Sequence, residues 1–259
     1  MILLADMGNT NVVLAGYEGG VPHFVARLAT RPGMSGAWWQ AAFEGAARQA
    51  GCGQVRFEGA ALCSVVPPLN QPVKEGLAGL CGGREPVFLS RRGDTAGVDI
   101  YTDDPDEVGN DILAGAIAVK VSRPLPALVV DLGTATTFTP QDRQGNILGV
   151  SIAPGVRLGL EALAGHASQL CQVAMQAPRK AVGKNTVDSL KSGVILGAAA
   201  LLDGLADRIE AETGSPFRTL AATGGLAGVV EPHCRRRFEV APNLVLDGLW
   251  EYYRRNRAF

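Results

Sequence analysis

The chain has 259 residues, 47% of them apolar and 19% charged, which suits one large or two small domains with real cores and excludes a disordered or coiled-coil protein. Lys and Arg number 24 against 25 Asp and Glu, so a net charge of −1 supplies no field for a nucleic-acid backbone or an anionic membrane, and neither partner is expected. Met1-Ile2-Leu3-Leu4-Ala5-Asp6 meets an acid before a signal-peptide core can form, and no apolar run reaches the roughly 18 residues of a membrane span, which predicts a cytoplasmic protein.

In chain order, Ile2-Leu3-Leu4-Ala5 predicts a buried strand, Asp6-Met7-Gly8-Asn9-Thr10 a tight turn, and Asn11 to Ala15 the returning strand, with a further turn at Glu18-Gly19-Gly20. Helices are predicted over about Gly36 to Ala50 and Asn110 to Val121, and between them a strand, Ala60 to Ser64, stopped by Pro67-Pro68. The opening pattern then returns: Leu128-Val129-Val130 is a strand, Asp131-Leu132-Gly133-Thr134 a turn, Ala135 to Thr139 a strand and Arg143-Gln144-Gly145-Asn146 a turn. Asp6 and Asp131 lie 125 residues apart, close to half the chain, so a duplicated domain is expected. A long apolar helix follows over about Val187 to Thr213, with Thr186 as its expected N-cap. Leu220-Ala221-Ala222 leads into Thr223-Gly224-Gly225-Leu226-Ala227, and a last helix runs from about Leu244 to Arg255. Alternating strands and helices predict an α/β protein, and the division is placed near Ser122 to Pro126, giving domains 1–118 and 119–259.

A strand ending in Asp, then Gly, then Thr or Asn suits a phosphate, because glycine admits backbone N–H groups and hydroxyls donate further bonds. A bare carboxylate beside polyphosphate is repelled, so Asp6 and Asp131 make sense with a cation between them and the anion. Thr223-Gly224-Gly225 adds bare backbone against which a nucleoside can lie, and the three motifs stand in the order of an actin-like nucleotide-binding fold. Gly183-Lys184-Asn185 is not a P-loop, and no G-x-G-x-x-G follows a strand. Cys52, Cys63, Cys81, Cys171 and Cys234, odd in number and without C-x-x-C, read as reduced thiols. His23, His166 and His233 have no metal-ligand spacing and read as surface or packing residues, and Arg235-Arg236-Arg237 and Arg254-Arg255 as solvated surface.

Seven runs stand in order along the chain: Asp6-x-Gly8-Asn9-Thr10-Asn11, Ser64-Val65-Val66-Pro67, Pro105-x-Glu107-Val108-Gly109-x-Asp111, Asp131-x-Gly133-Thr134-Ala135-Thr136-Thr137, Ala153-Pro154-Gly155, Gly183-Lys184-Asn185-Thr186 and Thr223-Gly224-Gly225-Leu226-Ala227. Together they resemble type III pantothenate kinase. The resemblance implies two duplicated actin-like (ribonuclease H-like) domains around a nucleotide cleft, a homodimer, ATP with Mg²⁺, and a monovalent cation, K⁺ or NH₄⁺. It implies phosphorylation of the primary hydroxyl of pantothenate, the first step of coenzyme A synthesis. Carried over by motif, Asp6, Met7, Gly8, Asn9, Thr10, Asn11, Val12 and Val13 would cradle the ATP phosphates with Thr134, and Asp131 would hold the monovalent cation. Asp111 would be the general base, Tyr101, Gly109, Asn110 and Ile112 would belong to the acceptor pocket, and Thr186 would reach the acceptor from the partner subunit. Read from the residues alone, Asp111 and Thr186 can equally be helix caps.

The acceptor motif departs from the family pattern. Gly109-Asn110-Asp111-Ile112 has isoleucine where the family has arginine, Thr102 stands in place of tyrosine with Tyr101 one position earlier, and Asp104 replaces asparagine. Thr139 stands where an aspartate is usual. Two other functions therefore stay open at this level: a same-fold kinase for another hydroxylated acceptor, and a nucleotide-binding regulatory protein with weakened catalysis.

Overall fold

In the computed structural model, which describes residues 1–166 and 173–257, the chain forms two compact units. The first comprises Met1–Val98, Asp104–Ser122 and Leu244–Phe259, the second Asp99–Asp103 and Arg123–Asn243. Cys171 lies outside the described residues, as does the side chain of His166.

The first unit is built on Ile2–Met7 (β1), Asn11–Glu18 (β2), Val21–Ala29 (β3), Gly36–Gln49 (α1), Gly59–Ser64 (β4), Asn70–Leu80 (α2), Val87–Phe88 (β5) and Asn110–Ser122 (α3). Its sheet has the order β3-β2-β1-β4-β5, with β1 antiparallel to β2 and parallel to β4. The unbroken apolar run of β1 is explained by burial on both faces. Leu3, Ala5 and Met7 join a core with Trp39 and Phe43 of α1 and Val73 and Leu77 of α2. At the edge, β3 alternates exposed and partly buried residues, as a half-solvated strand does.

The second unit repeats the plan with Ala127–Leu132 (β6), Ala135–Gln141 (β7), Ser151–Pro154 (β8), Val156–His166 (α4), Thr186–Lys191 (α5), Gly197–Thr213 (α6), Thr219–Thr223 (β9), Ala227–Val230 (α7) and Glu239–Val240 (β10). The sheet order β8-β7-β6-β9-β10 matches the first unit strand for strand. The expected duplication is therefore visible as topology, with Asp6 and Asp131 at equivalent places on the central strands. Leu128, Val130, Phe138, Ala199, Leu202 and Ala222 form its core.

Leu244–Asn256 (α8) closes the chain, and it packs in the first unit rather than the second. Gly248 explains why: it lies directly against the Ala114 carbonyl of α3, where any Cβ would collide. Tyr17 of β2 donates to Asp247 at 2.7 Å, the Ser90 backbone exchanges hydrogen bonds with the Tyr252 hydroxyl, and Asn256 accepts from the Asp94 amide. The division expected at 118/119 also falls inside α3, which runs whole to Ser122.

Three local expectations are corrected. Asn185, not Thr186, caps α5, accepting from the Asp188 amide at 2.9 Å. The long helix contains a π-helical turn at Ser192–Leu196. Over Thr186–Thr213 it is long and apolar enough by composition to cross a membrane, although Asp188, Lys191, Asp203 and Asp207 interrupt its apolar run. Leu190, Ile195, Ala198, Leu202 and Ala206 are nonetheless buried within the unit.

The third correction concerns Arg236, which is half-buried, whereas Arg235, Arg237, Arg254 and Arg255 are exposed as expected. Arg236 pairs with Asp207 at 3.2 Å and Glu210 at 2.7 Å, Arg235 with Asp207 at 2.8 Å, and Arg254 and Arg255 both with Glu251. Buried Asp203 accepts the Arg235 and Arg236 amides at 2.8 and 3.0 Å. Asp203→Ala would strand both donors, so we expect a loss of about 2–4 kcal/mol in denaturant unfolding, with Asp203→Asn costing less. The Arg236 hydrogen bond holds the Glu210 carboxyl below its ordinary range. That contribution is present above the unfolded carboxylate pKa and lost as pH falls through the depressed folded value, so stability should decline on acidification below about pH 5.

Candidate active site

The β1–β2 turn is held by backbone and by the end of β3. The Gly8 amide donates to the Asn11 carbonyl at 2.9 Å, the Thr30 hydroxyl to the Gly8 carbonyl at 2.7 Å, and the Thr30 amide to the Thr10 carbonyl at 3.0 Å. A Cβ on Gly8 would stand 3.1 Å from the Asn11 carbonyl, so the tight approach favours glycine. Asn9, Thr10 and Asn11 are exposed, and Asp6 and Val13 are partly buried. Met7 and Val12 are wholly enclosed in the core, so of the run Asp6 to Val13 these two can offer a ligand only main chain.

Cys63 is the register partner of Asp6, and one residue on, the Ser64 carbonyl accepts from Asn110 Nδ2 at 3.3 Å. That bond ties the start of α3 to the end of β4. Gly109, Asn110, Asp111 and Ile112 are thereby gathered on or just before the first turn of α3, whose Leu113 amide donates to the Gly109 carbonyl at 3.1 Å. Asp111 Oδ1 accepts from the Ile112 amide at 2.8 Å and lies so close to Gly109 that a side chain there would displace it. Burial pushes the Asp111 carboxyl up, opposed by the Ile112 amide and its own. A desolvated carboxylate in a fixed rotamer is suited to taking a proton.

Asp104 accepts from the Asp106 amide at 2.9 Å and caps the 3₁₀ turn Pro105–Glu107. Either Asp or Asn can make that bond, which accounts for the departure at this position.

In the second unit the turn is repeated. The Gly133 amide donates to the Ala135 carbonyl at 3.1 Å, Thr134 is exposed at the tip, and the Gly133 and Thr134 carbonyls pack on Gly155. Asp131 is the register partner of Thr223, and Gly224, at φ +88°, brings bare backbone against Asp131 Oδ1 and the Leu132 carbonyl. A carboxylate and a carbonyl oxygen thus converge on the space a Gly224 Cβ would fill. An all-oxygen donor set fits a hard monovalent cation. Thr139 is buried opposite Val129, where a carboxylate would pay desolvation without a partner in register.

Tyr101 and Thr186 both belong to the second unit but to different parts of it. Tyr101 is 57% exposed, with its amide on the Ile147 carbonyl and its hydroxyl accepting from Asn146 Nδ2 at 3.1 Å. Thr186 opens α5 and borders an apolar groove of about 520 Å³ lined also by Val156, Leu163, Val194 and Leu201. Among the described residues no three His, Cys, Asp or Glu side chains cluster as a metal site. His23 and His233 are exposed, and Cys52, Cys63, Cys81 and Cys234 are free thiols. Cys63 is not among the expected site residues, and Gly224, expected against a nucleoside, lies against Asp131 and the Leu132 carbonyl. Aligning the two repeats by register, which sets Cys63 against Thr223, is the signal that finds the first of them.

Two five-stranded units of one topology, each with an Asp-x-Gly turn after its central strand, define an actin-like α/β fold. A ROK family glucokinase from Streptomyces griseus, solved with glucose and AMPPNP, superposes with a TM-score of 0.51 at 14% identity, covering 96% of this chain and 98% of that one. A Campylobacter jejuni protein of the Baf family superposes at 0.60 and 17% identity, with 98% of each chain covered. More particularly, the chain belongs to the type III pantothenate kinase family, whose profile matches residues 2–208. The type III pantothenate kinase of Thermomicrobium roseum is 39% identical over 256 residues, 98% of this chain and 97% of the relative, and that of Syntrophotalea carbinolica is 36% identical over the full length of both.

Proposed function

We propose that this enzyme transfers the γ-phosphoryl group of ATP to the primary hydroxyl of pantothenate, opening coenzyme A synthesis, with Asp111 as the general base. The observation that carries the assignment of the base is the placement of Asp111 on the first turn of α3, its carboxylate desolvated and its rotamer held by the Ile112 amide and by Gly109. Asp111 accepts the hydroxyl proton as the oxygen attacks phosphorus. In the first unit the exposed Asn9, Thr10 and Asn11 offer polar groups to phosphate, and in the second unit the exposed Thr134 does the same. Asp6 would hold Mg²⁺, which when bound neutralises phosphate charge. Asp131 and the Leu132 carbonyl would hold K⁺ or NH₄⁺. ADP formation measured with and without pantothenate tests the reading: pantothenate-independent turnover, or none, would reject it.

The working form is a homodimer. Ile152 (71% exposed), Leu158, Leu163 and Val187 are exposed apolar side chains of the second unit, and Leu163 lines the groove that Thr186 borders, which supports a partner surface there. Thr186 then meets the acceptor bound to the second copy. Free thiols at Cys52, Cys63, Cys81 and Cys234, together with the use of ATP, support a cytoplasmic reaction.

Ile112 is partly buried on the first turn of α3, where the family has arginine. A pantothenate carboxylate without a guanidinium partner forgoes an interaction of about 1.5–3 kcal/mol. Ile112→Arg should lower the pantothenate KM about tenfold with little change for ATP. An unchanged and already low KM would mean that another donor, of which Arg157 and Lys184 are the motif-adjacent candidates, binds the carboxylate.

A further inference from the structure

Past β5 the chain of the first unit is held by α8, where a further strand would ordinarily lie. The sheet ends at this two-residue strand, and the Leu89 amide makes the last bond to it, donating to the Leu62 carbonyl at 2.9 Å. From there the backbone is gripped by side chains one helical turn apart on α8. The Ser90 amide donates to the Tyr252 hydroxyl at 3.2 Å, and that hydroxyl donates back to the Ser90 carbonyl at 3.1 Å. Four residues on, the Asp94 amide donates to Asn256 Oδ1 at 2.7 Å, and Asn256 Nδ2 donates back to the Asp94 carbonyl at 3.0 Å. Gly93 permits the approach, since a Cβ there would collide with the Tyr252 hydroxyl and with Asn256 Oδ1. Each reciprocal pair is the exchange that two facing strand residues make.

The segment so held is strained and is tied to the acceptor motif. Ala96, at φ +58°, is the one non-glycine residue in the left-handed region among the described residues, and such a conformation persists only where its surroundings fix it. Asp94 Oδ1 accepts from the Ala96 amide at 2.9 Å, and the Thr95 hydroxyl donates to the Val98 carbonyl at 3.3 Å. Two side chains then link the segment to the elements that carry Asp111. Lys120 of α3 donates to the Gly97 carbonyl, and Arg91 pairs with Asp106 of the Pro105–Glu107 turn. That turn runs through Val108 into Gly109, whose carbonyl accepts from Leu113 in the first turn of α3. Satisfying the backbone of Ser90 and Asp94 requires neither of these outward links.

We propose that Tyr252 and Asn256 are positioning residues for the acceptor: they fix residues 90–94, and Arg91, standing between the two gripped backbone positions, thereby holds the Pro105–Glu107 turn and the placement of Gly109 to Ile112. Without the grip of α8, the strained turn at Ala96 relaxes and Arg91 loses its fixed base. The start of α3 then loses a restraint, and a catalytic group set off its place loses rate. The effect falls on the acceptor and not on the nucleotide, because the β1–β2 turn is held by Thr30 at the other edge of the sheet. The inference rests on the acceptor reading given above for residues 109–112.

Tyr252→Phe tests it by removing the hydroxyl and keeping the ring. In steady state its kcat/KM for pantothenate should fall about fivefold while the ATP KM stays within about twofold of wild type, and Asn256→Ala should do the same. Arg91→Gln leaves α8 intact and should lose about threefold, in keeping with an exposed ion pair, and Arg91→Lys should restore most of that loss. Tyr252→Phe combined with Arg91→Gln should cost less than the product of the two single losses, because both act through one link. Pantothenate kcat/KM near wild type in both α8 variants overturns the proposal. So does an equal loss for ATP, which a general loosening of the first unit would give, and so does an Arg91→Lys no better than Arg91→Gln. Where an α8 variant does not fold, judged by its thermal melt, the Arg91 pair decides. Wild type without pantothenate-dependent ADP formation rejects the functional reading and this proposal with it, whereas an active wild type with unchanged variants rejects this proposal only.

Discussion

Asp111→Asn is expected to cut turnover by at least about 100-fold while ATP affinity stays near wild type. The substitution is nearly isosteric, and the asparagine oxygen can still accept from the Ile112 amide that Asp111 Oδ1 uses at 2.8 Å, so the first turn of α3 and its tie to Ser64 should persist. What is lost is the ability to take a proton. General-base help contributes about 10²–10⁴-fold, and positioning and charge stabilisation supply the rest, so residual activity is expected. The pH profile gives a second check. Burial raises the Asp111 carboxyl, and the ionised form is the active one, so kcat should fall on acidification through a midpoint above the ordinary carboxylate range. Wild-type kcat in Asp111→Asn would remove this residue from the mechanism.

Asp131→Ala is expected to abolish activation by K⁺ and to weaken ATP. The carboxylate lies with the Leu132 carbonyl where Gly224, at φ +88°, leaves no side chain, so the donor set consists of oxygen and depends on one formal charge. If Asp131 holds the cation as proposed, removing that charge takes the cation with it and deprives the phosphate site of the cation's charge. We expect at least about a tenfold rise in the ATP KM, matching the loss of one charge-assisted interaction of about 1.5–3 kcal/mol, with Na⁺ substituting poorly in the wild type. Titration of ATP at fixed Mg²⁺ with and without K⁺ reads both effects. Wild-type activity indifferent to K⁺ would reject the role.

The duplication was legible in the sequence because it is carried by local chemistry. A buried apolar run, an acid, a glycine and a small hydroxyl or amide residue are each dictated by a strand and its turn, and they recur at Asp6 and Asp131. The start of α3 was legible for a similar reason, since Asn110-Asp111 preceding Ile112-Leu113-Ala114 satisfies a helix N-terminus whatever lies around it. Thr186 marks the limit of such reasoning: it and Asn185 are both good caps, and only the backbone placed the Asn185 oxygen on the Asp188 amide.

The nucleotide motifs and the class of chemistry were thus determined by the sequence, which needs only residue types and their order to express them. Tertiary structure decided what depends on distant segments meeting. It sent α8 back to the first unit, because Gly248 admits the Ala114 carbonyl and Tyr17 lies within reach of Asp247. It turned Arg236, 26 residues from Glu210, into half of a bridged pair. It also set Cys63 beside Asp6, 57 residues away in sequence, because parallel pairing of β1 with β4 chooses a register that no local pattern encodes.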